Sequence, residues 1–242
     1  MGLCKMIEAN EIAVCVSGLA RKGYKEALQI AKKVFPYATF YMQWKDYPKP
    51  DVPDCLLIDE PVYDYHNLLD TKTKPNCPVW TRYTKKPDGK IFRRSGLLEK
   101  TKNNSKQIIA HYRLVKSLPS KYKTIIKFRY DTLLSTKVNF APFIERAQNG
   151  EVIGFSGSVL GKDVDSPLKE LGKKNWYLLD HMIFHPREKL QNIDKLFQNK
   201  NLLGAEWGWY QVLCHQWNDN NFMNVEGGNV LTTHVKIDNN GN

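Results

Sequence analysis

Two kinds of stretch divide the chain: short, β-branched apolar runs, and longer segments in which apolar residues recur every three or four positions. Ile12 to Val16 (IAVCV) is a run of the first kind, short and apolar enough to be a strand buried on both faces. It stops at Ser17, Gly18, Leu19, Ala20 and Arg21. Tyr24, Ala27, Leu28, Ala31, Val34 and Phe35 then recur at helical spacing until Pro36 ends the pattern. Thr39 to Trp44 and Cys55 to Ile58 read as a second and a third strand, with Pro48, Pro50 and Pro53 stiffening the connection. From Pro61 to Asn104 the periodicity fades, which predicts a long irregular insertion of the kind that forms lids and binding loops. A helix is predicted from about Ser105 to Leu118, with Ile108, Tyr112, Val115 and Leu118 on its buried stripe and Pro119 as its stop.

The stretch from Tyr122 to Asp131 (YKTIIKFRYD) is the centre of the pattern. Ile125, Ile126 and Phe128 make it a buried strand, yet it ends in Lys127, Arg129, Tyr130 and Asp131. Side chains alternate along a strand, so Lys127, Arg129 and Asp131 fall on one face at its carboxyl end. A short helix from Pro142 to Gln148 and a strand from Val152 to Phe155 follow, with Gly154 and Gly157 allowing close backbone approach. Asp163 to Lys174 is polar and predicted to be exposed. Trp176 to Phe184 (WYLLDHMIF) is a second apolar run interrupted by charge, at Asp180 and His181. A helix carrying Leu190, Ile193 and Phe197 comes next, then one opened by Glu206 with Tyr210, Leu213, Cys214 and Trp217 on its core side. Val230 to Ile237 alternates as a final strand.

Strands alternating with helices predict an α/β fold, a mixed, mostly parallel sheet flanked by helices. The chain reads as one domain over residues 1–242. Residues 1–60 hold the first strands and an anion-binding loop, 61–104 the insertion, and 105–242 the central strand and the remainder. With 42% hydrophobic and 12% aromatic residues in 242, a sizeable core is expected.

Charge then narrows the class of ligand. Lys and Arg number 36 against 25 Asp and Glu, a net +11 that favours an anionic partner. Between Lys72 and Lys106, eleven Lys and Arg stand against Asp88 and Glu99, so a net +9 lies in that one segment. One basic segment is a local device, whereas a nucleic-acid binder spreads its cations over several elements; no nucleic-acid partner is expected. The segment suits an acceptor's anionic groups or peripheral contact with a membrane surface. Five scattered cysteines with no CxxC pair indicate reduced thiols. No apolar run resembles a signal peptide or is long enough to span a bilayer, so a cytoplasmic location, at a membrane surface if the segment binds one, is expected.

The polar residues form a coherent set. In open α/β sheets ligands bind at the carboxyl ends of the strands. There, Ser17, Gly18 and Arg21 at a helix amino terminus form an anion site, Lys127 and Arg129 can meet phosphate oxygens, and Asp131 can hold a divalent metal. Asp180 is the first candidate for general base and Glu206 the second. His234 is a further candidate metal ligand, and Trp207 and Trp209 offer either a sugar-stacking platform or core. Ion pairing by Asp180 and dipole stabilisation by Glu206 are the structural alternatives.

Together, the strand running into SGLAR, the helix beginning near Gln107, the strand ending in RYD, and the later LLDHMIF and GAEWGW resemble glycosyltransferases of the GT-A type. The resemblance is to the WavE-like lipopolysaccharide- and capsule-synthesis enzymes of bacteria and large viruses in particular. It implies a GT-A-like, Rossmann-related sheet and transfer of a sugar from a nucleotide-diphosphate sugar to a hydroxyl of a glycan or glycolipid. It places Ser17, Gly18, Arg21, Gln107, Lys127, Arg129 and Asp131 around the donor and Asp180 where acceptor or base is found. It also implies Mn²⁺ or Mg²⁺ at the acidic DxD motif, whose last acid matches Asp131. The first acid of that motif is here Arg129, a cation able to replace part of a metal's charge. A polyanion- or nucleic-acid-binding protein, and a nucleotidyl- or phosphotransferase, are the alternatives that the residues allow.

Overall fold

The computed structural model describes residues 11–17, 23–44, 56–59, 83–85, 91–93, 98–130, 132–156, 168–171, 177–190, 205–214, 221–227 and 231–233. Its centre is an eight-stranded sheet. The strands are β1 (Ile12–Ser17), β2 (Thr39–Trp44), β3 (Leu56–Asp59), β6 (Thr124–Arg129), β8 (Val152–Ser156), β9 (Lys169–Glu170), β10 (Met182–Pro186) and β11 (Phe222–Glu226). Their order across the sheet is β3-β2-β1-β6-β10-β8-β11-β9. Two short antiparallel pairs stand apart: β4 (Tyr83–Lys85) with β5 (Ile91–Arg93), and β7 (Thr132–Leu134) with β12 (Leu231–Thr233).

β3, β2, β1 and β6 run parallel to one another. β10 is antiparallel to both of its neighbours, β6 and β8, so β8 runs the same way as β6, and β11 is parallel to β8. The sheet is therefore mixed and mostly parallel, as the sequence predicts. Every residue of β1 is buried, and β6 is buried up to Arg129, because helices cover both faces.

On one face α1 (Tyr24–Val34) and α3 (Ala141–Gln148) bring Leu28, Ala31, Ile144 and Ala147 onto Val14, Val16, Ile126, Phe128, Phe155 and Phe184. On the other, α2 (Leu98–Ser117) and α4 (Ala205–Leu213) bring Ile108, Ile109, Val115, Trp209 and Leu213 onto Ala13, Cys15, Ile125 and Ile183. Each such fully buried Ile, Leu or Phe contributes about 1.5–3 kcal/mol relative to exposure, so the two layers supply most of the driving force. α1 starts where Gly23 takes φ 86°, a left-handed conformation natural to glycine.

Four expectations need correction. The insertion is not wholly irregular, since it includes the β4–β5 pair and the first turns of α2, which begins at Leu98 instead of Ser105. The run from Trp176 to Phe184 is a strand only from Met182 onward, and Asp180 and His181 precede it. β12 is described over Leu231–Thr233 only, and it pairs with β7 outside the main sheet. β11 was not expected: asparagines and glycines flank it, and Asn224 interrupts its apolar residues.

Candidate functional site

The parallel strands deliver their carboxyl ends to one edge, and the polar residues gather there. β1 leads on to β2 on one side, whereas its other neighbour is β6, so the chain reverses its order of strands between β1 and β6. At such a switch point the connecting loops diverge and leave a crevice. Ser17 and Arg129, the last residues of the two strands, are register partners beside it. By alternation from Cys15 and Lys127, both side chains lie on the face covered by α2 and α4.

The antiparallel strand completes the edge. Because β10 opposes β6, its amino-terminal end lies where the others have their carboxyl ends. The segment entering β10 thus brings Asp180 to Arg129, with Nη1 and Oδ1 3.8 Å apart and side chains 23% and 12% exposed. A guanidinium and a carboxylate that are close, loosely paired and partly exposed can exchange partners when an anionic ligand arrives. Farther along, Ser156 and Glu226 are register partners at the ends of β8 and β11. Tyr177 joins them, its hydroxyl pKa pushed up by burial and then by the negative charges of Glu226 and Glu206. Glu206 lies in the first turn of α4, half-buried.

Lys127 is placed differently from the expectation. Only 1% of it is exposed. Its Nζ donates to the main-chain carbonyl of Asp180 and lies 5.1 Å from the centre of the Trp209 ring. Strand alternation does put Lys127 on Arg129's face, but two residues inward, where α4 closes over it. It supports the site from beneath and does not reach a phosphate. Trp209 is likewise core, not a sugar platform. Gln107, half-buried on α2, lies one turn closer to the open edge than His111.

Beneath Lys127 lies a buried imidazole pair. His111 Nε2 and His185 Nε2 are 3.0 Å apart, and neither ring is exposed. His185 Nδ1 donates to the carbonyl of Pro186 at 2.8 Å. In neutral rings this fixes the protons: His185 Nε2 accepts, His111 Nε2 donates, and His111 Nδ1 is left as a buried acceptor without a partner.

Gly18, Arg21, Asp131 and His234, and the Trp207 side chain, lie outside the described residues. Among the described residues no three His, Cys, Asp or Glu side chains are grouped as a metal ion's ligands. Also among them, no helix is long and apolar enough to cross a membrane. A cavity of about 290 Å³, lined in part by Tyr112, Lys116, Lys123 and Arg187, opens at the opposite edge of the sheet. There Arg187 is committed to the carbonyls of Val115, Leu118 and Pro119 at the end of α2, a structural role.

Sequence reasoning missed Ser156, Tyr177 and Glu226 at the edge and Asn224, buried behind it in the middle of β11. Only the apolar residues around Asn224, with period-two spacing between Met223 and Val225, could have flagged β11.

Sheet order, switch point and edge together define a Rossmann-related α/β fold of the GT-A-like kind. The structure is similar to that of 4-diphosphocytidyl-2C-methyl-D-erythritol synthase from Anaerococcus prevotii DSM 20548, with a TM-score of 0.51 and 7% identity over 94% of this chain and 92% of that one. Mouse xyloside xylosyltransferase 1 in its apo form gives a TM-score of 0.40 at 9% identity, over 88% of this chain and 83% of that one. At such identities the first likeness is one of fold. No family model matches the chain, and no curated protein matches it significantly.

Proposed function

We propose that the chain is a glycosyltransferase that moves a sugar from a nucleotide-diphosphate sugar to a hydroxyl of a glycan or glycolipid. The observation that carries this reading is the Arg129–Asp180 pair, 3.8 Å apart and partly exposed at the carboxyl edge beside the switch point. In such a transfer the diphosphate leaves with growing negative charge, which Arg129 would meet, while a carboxylate takes the acceptor's proton if the anomeric centre inverts. Asp180 is the proposed base, and Glu206 is the second candidate. Ser17, Gly18, Arg21 and Gln107 are proposed to surround the donor. Mn²⁺ or Mg²⁺ held by Asp131 and His234 would add charge at the diphosphate. The WavE-like, polysaccharide-synthesising character, a cytoplasmic location, and contact of the basic segment with acceptor or membrane belong to the same proposal.

Nucleotidyl transfer is the second reading, favoured by the diphosphocytidyl in the name of the Anaerococcus protein and by the same arginine-lined edge. The test is a thermal-shift screen of nucleotide sugars and nucleoside triphosphates with and without Mn²⁺, followed by product analysis with the stabilising donor. A ligand that binds only the folded chain raises its melting temperature. Release of nucleoside diphosphate with transfer of label from a nucleotide sugar to a hydroxyl supports the proposal, and release of pyrophosphate from a nucleoside triphosphate in the presence of a sugar or alcohol phosphate supports nucleotidyl transfer. No stabilisation by any nucleotide sugar or nucleoside triphosphate would overturn both. Arg129→Met should weaken donor binding tenfold or more, the loss of one charge-assisted bond being worth about 1.5–3 kcal/mol.

A further inference from the structure

The segment that carries Asp180 has no strand or helix of its own between Tyr177 and His181, yet a carboxylate must be held to within a fraction of an ångström to take a proton. We infer that Asn224 is the positioning residue for that carboxylate, an inference that rests on the reading of Asp180 as the base. Asn224 lies in the middle of β11 with none of its surface exposed. Its Oδ1 accepts from the amide N–H of Leu179 at 3.0 Å, and its Nδ2 donates to the carbonyl of Tyr177 at 2.8 Å. One side-chain amide thereby takes up an N–H and a C=O two residues apart, as the backbone of a neighbouring strand would.

The geometry is possible because of what stands between. β8 separates β11 from β10, and the residue of β8 in register with Asn224 is Gly154. A Cβ at position 154 would lie 2.6 Å from the carbonyl oxygen of Leu179, 2.8 Å from Leu178 Cδ1 and 2.9 Å from Asn224 Oδ1. Only glycine leaves the opening through which Asn224 reaches over one strand to grip the next connection. The segment is fixed from two other sides, by Leu178 N–H donating to the carbonyl of Glu206 at 3.0 Å and by Lys127 donating to the carbonyl of Asp180. Asn224 itself is held in place, its carbonyl accepting from Leu171 N–H at 2.9 Å. Main chain on both sides of the Asp180 side chain is therefore tied down, and Asn224 supplies two of the four ties.

Asn224→Leu removes both bonds, and Asn224→Asp keeps the acceptor while replacing the donor with an oxygen. With the nucleotide sugar identified by thermal shift as donor, both variants should lower kcat about 10²-fold, the cost of a misplacement of about 1 Å, and leave the donor Kd within about twofold. Three readouts separate positioning from mere structure. The doubly substituted Asn224→Leu, Asp180→Asn chain should be no slower than Asp180→Asn alone. Relative to wild type, Asn224→Asp should regain activity between pH 8 and pH 6, because a buried carboxyl takes up its proton there and its O–H restores the donor. Hydrogen exchange at Leu179 should accelerate in Asn224→Leu while the β1 and β6 amides keep their protection. Full multiplication of the two kinetic losses, or a kcat unchanged in both single variants, would overturn the role. So would Leu179 exchange that stays as slow as in wild type. The exchange measurement needs no substrate, so a wild-type chain that uses no nucleotide sugar, or an Asp180→Asn chain that stays fully active, would sink the functional reading separately.

Discussion

Acidification from pH 7 to pH 5 should remove about 4 kcal/mol of folding stability through two side chains, His111 and His185. An imidazole in an unfolded chain titrates near pH 6.5. In the folded chain burial pushes His185 down to about 4, its bond to the Pro186 carbonyl opposing the shift only in part. Burial also holds His111 well below its ordinary value, reinforced by His185 and then by Lys127. At pH 5 both rings are neutral when folded and cationic when unfolded, so the unfolded chain binds more protons, and stability falls as the pH drops through 6.5. Each unit below that point costs about 1.4 kcal/mol per ring. One and a half units over two rings give about 4 kcal/mol, a large share of the 5–15 kcal/mol typical of a folded domain, and for His185 the loss levels off near pH 4. Urea unfolding followed by tryptophan fluorescence at pH 7, 6 and 5 and constant ionic strength measures it, with His111→Phe, His185→Leu as the paired control. Stability of the control should fall less over this range by about 4 kcal/mol, the carboxylates contributing equally to both chains. Equal slopes would refute the reasoning. Should the control fail to fold, ring-proton titration of wild type decides instead, and midpoints above pH 6 for these two rings would refute it as well.

Three other outcomes are expected. Gly154→Ala should destabilise the fold by about 1–3 kcal/mol in chemical denaturation, because the added methyl meets backbone and a buried amide that cannot retreat. Lys127→Met should leave nucleotide-sugar affinity within about threefold, in contrast to the tenfold or greater loss for Arg129→Met, since Lys127 is sealed beneath Trp209; calorimetric titration of the two variants checks the difference. Cys15, whose thiol pKa burial pushes up far beyond its ordinary value, should resist alkylation in the native chain and react only after unfolding, as mass spectrometry of the modified protein would show.

The strands of the first half of the sheet were legible because they are covered on both sides, which leaves continuous apolar runs: β1, β2 and β6 lie within a residue or two of their predicted bounds. The concentration of charge at the end of β6 was legible for the same reason, as a sudden break in such a run. Depth was not legible. Strand alternation tells which face Lys127 occupies, but how far α4 extends over that face depends on contacts far along the chain. Asp180 was selected from the sequence, although as part of a strand; its place before β10 depends on the antiparallel pairing with β6, and only the assembled sheet determines that. β11 was missed because a buried asparagine looks like a turn residue until its two partners, Tyr177 and Leu179, are known.

The reversed course of β10 has an evolutionary consequence. The cation of the Arg129–Asp180 pair ends an outgoing strand, whereas the acid sits on an incoming connection, so the two halves of the proposed site can change independently. Lengthening or replacing the chain between β8 and Tyr177 would remodel one side of the proposed site, where the acceptor is proposed to approach, while the ends of β1 and β6, proposed to hold the donor, stayed as they are. Diversification of such a protein should therefore accumulate in the stretch before Tyr177 and spare the paired ends of the two central strands.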